Sequence, residues 1–150
     1  MPYESYFMID VPSMLKRLES DTQPQWGSMT AYEMLDHLRK GVDICVLQLP
    51  SEIITPQEML PKYKDFLMSD KPFRPGSAKP PVFDEVAALE GDLEMLKVNL
   101  MKSLVNMMVH FEKYPDHRAV HAYFGELNTQ EWLQMHYKHI QHHFTQFGLT

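Results

Sequence analysis

Apolar positions recur along this chain at helical rather than strand spacing. The clearest run lies between Glu85 and about Lys113, where Val86, Leu89, Leu93, Leu96, Leu100, Leu104, Met107, Met108 and Phe111 step by threes and fours. Over roughly seven turns this stripe predicts the longest helix of the chain, with Asp84 as its cap, and it needs other helices to cover it. A second stripe of Met34, Leu35, Leu38, Val42, Cys45, Val46 and Leu49 follows Thr30-Ala31-Tyr32-Glu33, which has the form of a capping box. It predicts a helix from about Ala31 to Leu49, stopped by Pro50, with His37 bordering the apolar face.

Two further helices are expected. A short one follows Asp10-Val11-Pro12, carries Met14, Leu15 and Leu18, and ends near Asp21. A final one is capped by Asn128 with Glu131 reaching back, carries Trp132, Leu133, Met135, His136, His139, Ile140, His143, Phe144 and Phe147, and stops at Gly148. Between the second and third helices, seven of the eleven prolines fall from Pro50 to Val82, which excludes a long regular helix there; Thr55–Leu60 supports only a helical turn. Tyr114-Pro115-Asp116 breaks the long helix, and His121–Leu127 reads as an aromatic loop. No alternating pattern of useful length suggests a strand. The expected fold is all-α: four helices, one single domain over residues 1–150, and a long proline-rich crossover between helices 2 and 3.

Composition narrows the function classes. A net charge of -6 argues against a nucleic-acid face or an anionic membrane surface. The amino terminus MPYESYFMID lacks the basic start and apolar run of a secretory signal, and no stretch approaches the roughly 20 apolar residues of a membrane span, so a cytoplasmic location is expected. Cys45, the single cysteine, lies in an apolar run and reads as a packing residue; the 12 methionines likewise read as core filler. Trp26 and Trp132 are expected in the core or as staples.

The eight histidines are unevenly placed, and four of them, His136, His139, His142 and His143, fall in the last helix. Residues four apart on a helix face the same way, so His139 and His143 can present two imidazoles to one ion, while His142 points elsewhere. A third ligand must come from another helix, and His37 is the candidate. With a rise of ~1.5 Å per residue, His37 lies ~10 Å from the start of its helix, and His139 and His143 lie roughly 6 to 12 Å from the end of theirs. If the two helices are antiparallel, the three side chains stand at one level. Three imidazoles with an open fourth position suit zinc, and also nickel, iron or cobalt, and an ion so held makes a bound water acidic. The H-E-x-x-H motif is absent, since residues 140 to 142 are Ile-Gln-His, which disfavours peptidase chemistry. His136 and His121 are alternates: His136 reads as a core or supporting residue, and His121 as a chain anchor or ligand. Glu33 and Asp36 flank His37 and read chiefly as a solvated helix face. No catalytic residue can be named.

The motifs Trp26-Gly27-x-Met29-Thr30-Ala31, Met34-Leu35-Asp36-His37-Leu38, His121-x-x-Phe124-Gly125-x-Leu127 and His139-Ile140-Gln141-His142-His143-Phe144-x-Gln146-Phe147-Gly148 resemble the DinB-like (YfiT-like) superfamily, in an uncharacterised branch. The resemblance covers both ends of the chain and leaves about Pro50 to Pro81 unmatched. It implies an up-down-down-up four-helix bundle, often a homodimer, with a divalent metal, zinc or nickel foremost, on His37, His139 and His143. It also implies a low-molecular-weight thiol as possible co-substrate, a small-molecule substrate, and S-transferase or hydrolase-type chemistry. Against this enzyme reading stands a non-catalytic metal- or ligand-binding bundle acting as a dimeric interaction module.

Overall fold

A computed structural model describes residues 2–150. The chain is mostly helical. Helix α1 is composite: an α-turn at Tyr3–Ser5, a π-helical stretch at Tyr6–Asp10 and an α-segment at Val11–Leu15. The regular helices are α2 (Ala31–Leu47), α3 (Leu60–Met68), α4 (Leu93–Lys113) and α5 (Thr129–Gln146). A hairpin of β1 (Ala119–His121) and β2 (Gly125–Leu127) sits between α4 and α5.

Both expected capping boxes form. Thr30 accepts from the Glu33 backbone N–H while Glu33 accepts from that of Thr30, and Asn128 and Glu131 do the same for α5. Each satisfies two amide groups that a helix start leaves without partners. Past α2, Gln48 turns left-handed ahead of Pro50, and Gly148 ends the last turn with φ +71°.

Four expectations are corrected. Helix α1 starts at Tyr3, not after Asp10, because Tyr6, Phe7 and Val11 all bury against the core. Its π-helical turns come just before Pro12, whose missing N–H breaks the regular ladder. Helix α4 starts eight residues later than Glu85: Asp92 is its cap, accepting from Met95 N–H at 2.8 Å, and Gly91 holds φ +151°. Val86 therefore packs with Ile44, Val82 and Phe83 rather than on the α4 stripe, and Leu89 is exposed. The segment before Gly91 is fastened to α2: Arg39 donates to the Ala87 carbonyl at 2.8 Å, and Asp36 accepts from Leu89 N–H at 3.3 Å.

The connection after α2 holds a full helix, α3, where only a turn is expected. Pro61 sits in its first turn, where the missing N–H has no helical partner to lose. The other end of α3 is capped by α5. Lys138 Nζ donates to the Phe66 carbonyl at 2.7 Å, and Gln134 Nε2 donates to that of Leu67 at 3.0 Å. Lys138 also lies over the Phe66 ring at 4.3 Å, and burial lowers its pKa to about 8.

The fourth correction is the hairpin, which replaces an aromatic loop. Ala119 pairs with Leu127 and His121 with Gly125, an antiparallel register too short to leave a periodic signal. The proline-rich connection straps it: Ile54 N–H donates to the Ala122 carbonyl at 2.7 Å, and Tyr123 Oη to that of Ala78 at 2.6 Å.

The main core lies where α2 packs on α4 and α5 packs on α2 and α3. Phe7, Leu18, Met34, Leu35, Leu100, Leu104, Met107, Trp132 and Phe144 are each less than 2% exposed or close to it. At roughly 1.5 to 3 kcal/mol for each large side chain buried, this cluster outweighs any single polar contact described below.

Candidate metal centre

His37 follows six residues of α2, on the edge of the face that carries Met34, Leu35 and Leu38 into the core. His139 and His143 lie one turn apart on α5. The two helices run antiparallel at this level. Gly41 of α2 lies beside His139, and a Cβ on it would stand 3.8 Å from the imidazole, whereas Gln25, ahead of α2, donates its N–H to the Gln146 carbonyl at 2.7 Å.

The three histidines expected as ligands come together. Each offers a ring nitrogen, and these nitrogens lie within 4.8 Å of one another. Among the described residues this is the one such group of three or more histidine, cysteine or acidic side chains. His37 Nε2 and His139 Nε2 are 2.9 Å apart, and the ring centroids of His37 and His143 are separated by 4.9 Å. Two nitrogens each about 2.0 to 2.1 Å from one tetrahedral ion stand roughly 3.3 Å apart, so modest ring rotations reconcile this cluster with such an ion.

The protonation of His143 follows from its neighbours. Gln146 Nε2 donates to the Trp26 carbonyl at 2.9 Å, which can only accept, so the amide oxygen must face His143. That oxygen lies 2.7 Å from His143 Nδ1, which therefore carries the proton and leaves Nε2 bare towards the cluster. Gly27, with φ +76°, makes room for the amide: a Cβ there would come within 3.0 Å of Gln146 Nε2. His37 is oriented differently. Its ring stacks on Phe83 at 4.8 Å and 19°, and its Nδ1 is buried without a hydrogen-bond partner.

All three rings are held neutral. Burial is the largest cause in each case, lowering His37 to about 3, His143 to about 4, and His139 well below the usual imidazole range. The like charges of neighbouring histidines add to the effect on His37 and His139; the Gln146 acceptor opposes it on His143. A neutral imidazole is the form that can donate a lone pair to an ion. Donor type, protonation and spacing thus all fit a three-nitrogen divalent site.

The alternates lie outside this trio. His136 is 1% exposed, stacked on Trp132 at 5.4 Å, with Nε2 buried and unpartnered. His121 accepts from Tyr123 N–H at 3.0 Å and packs against Phe124 and Trp132, which is the chain-anchoring role. His142 is not part of the trio: its ring lies against Trp26 at 5.6 Å and His143 at 5.0 Å, with Nδ1 near the Phe73 carbonyl. Cys45 is fully buried, as expected, and burial pushes its thiol pKa up. Trp132 is in the core, while Trp26 is half-buried. The flanking carboxylates are more than a solvated face: Glu33 closes the α2 cap, and half-buried Asp36 binds the buried Arg39 at 2.7 Å.

Sequence reasoning missed Phe83, Gln146 and a chain of contacts at the opposite end of α2. There His110 Nε2 meets His117 Nδ1 at 2.9 Å, and His117 Nε2 lies 4.0 Å from Cys45 Sγ. Gln146 had a usable signal, its position one turn beyond His143; Phe83 and His117 had none, because loops deliver them.

Among the described residues, no helix is long and apolar enough to cross a membrane. Neither a curated protein nor a solved structure matches the chain. A family match covers residues 66–150, which include His139, His143 and Gln146 but not His37. With more than half of its length matched, the chain belongs to the family described as "Protein of unknown function (DUF1569)".

Proposed function

We propose that this chain is a metal-dependent enzyme of DinB-like type, in which His37, His139 and His143 hold one divalent ion, zinc or nickel foremost, with a fourth position free for a reactant. The observation that carries the reading is the junction of three neutral ring nitrogens from two antiparallel helices, with Gln146 fixing the tautomer of one. When bound, such an ion lowers the pKa of a thiol or water and so supplies a nucleophile near neutral pH, for S-transfer to or hydrolysis of a small molecule. The chain's own part is positional. Gln146 keeps the lone pair of His143 turned inward, Phe83 clamps the His37 ring, and burial keeps protons off all three rings.

In this reading α1, α2, α4 and α5 are the four helices of an up-down-down-up bundle, and α3 is an insertion in the crossover. The protein works in the cytoplasm, and the outward Met95, Val98, Val105 and Val109 of α4 suit a homodimer contact. A second reading, a bundle that holds an ion or ligand without turnover, draws on a different observation. Two surface clefts, one between α1 and α4 and one beside Trp26 and His142, are lined by none of the three clustered histidines.

Metal analysis of protein purified without nickel resin tests the site. One ion per chain is expected, lost in His139→Ala; an ion-free parent, or unchanged content in the variant, sinks the assignment. Screening thiol-conjugation and ester substrates with and without chelator then separates the two readings, since only the enzyme predicts chelator-sensitive turnover.

A further inference from the structure

Between α5 and the segment that follows α3 lies a cleft of about 570 Å³, within the roughly 300 to 1,000 Å³ of small-molecule sites. One wall is a stripe of α5 running from Gln134 to Thr145 at helical spacing; the other is the chain from Met68 to Pro75. Five lining residues carry rings, Tyr3, Trp26, Phe73, Tyr137 and His142, and all five are half-buried. Trp26 stands 5.6 Å from His142 at 56°, and Tyr3 stands 6.4 Å from Tyr137 at 63°. Neither pair stacks face to face, so these rings do not spend their faces on each other.

Internal hydrogen bonds already use several polar groups of the walls. Lys138 Nζ gives its donors to the carbonyls of Phe66, Leu67 and Ser69. Gln134 Nε2 donates to those of Leu67 and Ser69, while its Oε1 accepts from Tyr3 Oη at 2.7 Å. Gln141 and His142, neighbours on α5, keep spare capacity. Gln141 Oε1 accepts from Tyr6 Oη at 2.8 Å, which leaves the two N–H of its Nε2 open to solvent and without a partner among the described residues. His142 Nδ1 meets the Phe73 carbonyl at 3.3 Å; a carbonyl only accepts, so Nδ1 carries a proton and Nε2 is the nitrogen left for a ligand. Of the remaining charged side chains on the walls, Asp70 and Lys71 are exposed, adjacent and opposite in sign. With the Lys138 ammonium surrounded by carbonyls, the cleft offers an ionic ligand no unmatched counter-charge.

We propose that this cleft is a binding site for a flat, uncharged aromatic compound bearing a carbonyl-type acceptor, its ring against Trp26 and its acceptor on Gln141 Nε2. A ring suits the walls because aromatic pairs gain from offset and edge contacts beyond the area they bury. A charged ligand would give up its hydration for walls that return no opposite charge. The ring centroids of His142 and His143 are 5.0 Å apart, so a compound in contact with His142 stands one ring away from the three-histidine cluster. Binding in the cleft goes beyond the metal reading above and does not depend on it.

The two indole N–H signals in heteronuclear NMR test the site, because Trp26 lines the cleft whereas Trp132 is enclosed in the core, donating to the Ala119 carbonyl. β-Naphthamide titrated into the protein as purified should shift the Trp26 signal saturably and leave that of Trp132 in place. Decalincarboxamide, which keeps the amide without the flat ring, and β-naphthoate, which keeps the ring but is charged, should each bind at least tenfold more weakly. Gln141→Glu retains an acceptor for Tyr6 but loses the free N–H groups, and should weaken β-naphthamide at least fivefold. Trp26→Leu should weaken it at least tenfold and Trp26→Phe less, both followed through the backbone amides of Phe73 and His142, with the Trp132 signal certifying the fold of each variant. No saturable shift in the parent, equal binding of either comparison compound, or undiminished binding in Trp26→Leu or Gln141→Glu overturns the proposal.

Discussion

Lowering the pH should unfold the metal-free protein well before its carboxylates titrate. Burial is the largest cause that pushes His37 and His136 to about 3, and His121 and His143 to about 4. In the unfolded chain each titrates near ~6.5, so below that pH the unfolded state binds protons that the folded state refuses. The sign is fixed by that difference: stability is full above about pH 6.5, falls as the pH drops, and stops falling only below about pH 3 to 4. Each ring adds a slope of about 1.4 kcal/mol per pH unit, which amounts to about 1.4 kcal/mol lost per ring at pH 5.5. These four rings give on the order of 5 to 6 kcal/mol before water entering the cluster relaxes the burial, and His139, held well below the usual imidazole range, adds in the same direction, against a total stability of ~5 to 15 kcal/mol. Urea unfolding followed by far-UV circular dichroism, from pH 7.5 to 5 in chelator, should show a steeply falling midpoint. An ion on His37 and His143 excludes protons from them, so zinc should move the acid transition downward. His136→Phe should remove one proton, one ring's share of the slope, because that ring is enclosed and its Nε2 has no partner to lose. A midpoint flat between pH 7 and 5, or a slope unchanged in His136→Phe, refutes the argument.

Gln146→Leu removes the acceptor that fixes the His143 tautomer, so zinc affinity measured against a chromophoric chelator should fall about 10- to 100-fold, as expected for loss of a ligand-orienting hydrogen bond. An unchanged affinity would show that packing alone orients the ring. Asp36→Ala strips Arg39 of its shortest ion pair and frees the strap at Leu89, leaving Asp43 and the Ala87 carbonyl as the partners of the buried guanidinium. A loss of about 1.5 to 3 kcal/mol in urea unfolding is expected, the range for hydrogen bonds to charged groups, and a loss below ~0.5 kcal/mol would show the pair to be solvated.

The sequence by itself determined what a few neighbouring residues can settle. Thr30 with Glu33 and Asn128 with Glu131 start their helices because cap and reply lie three residues apart, and Pro50 and Gly148 follow the ends of the same two helices for local steric reasons. The four-residue step from His139 to His143 likewise put two imidazoles on one face before any packing was known. It failed where long-range contacts overrule local pattern. Val86 and Leu89 continue the periodicity of α4, yet Arg39 and Asp36 hold that segment extended against α2. Proline density hid α3, whose Pro61 is harmless in a first turn and whose far end is capped by Lys138 and Gln134 from α5. Only the tertiary structure brought His37 to the other two rings, set Phe83 against it and gave the Gln146 amide the Trp26 carbonyl as its acceptor, since these partners lie from tens of residues to more than a hundred apart in the chain. The chemistry was legible as residue types, but their convergence depended on two helices packing antiparallel, which no local pattern encodes.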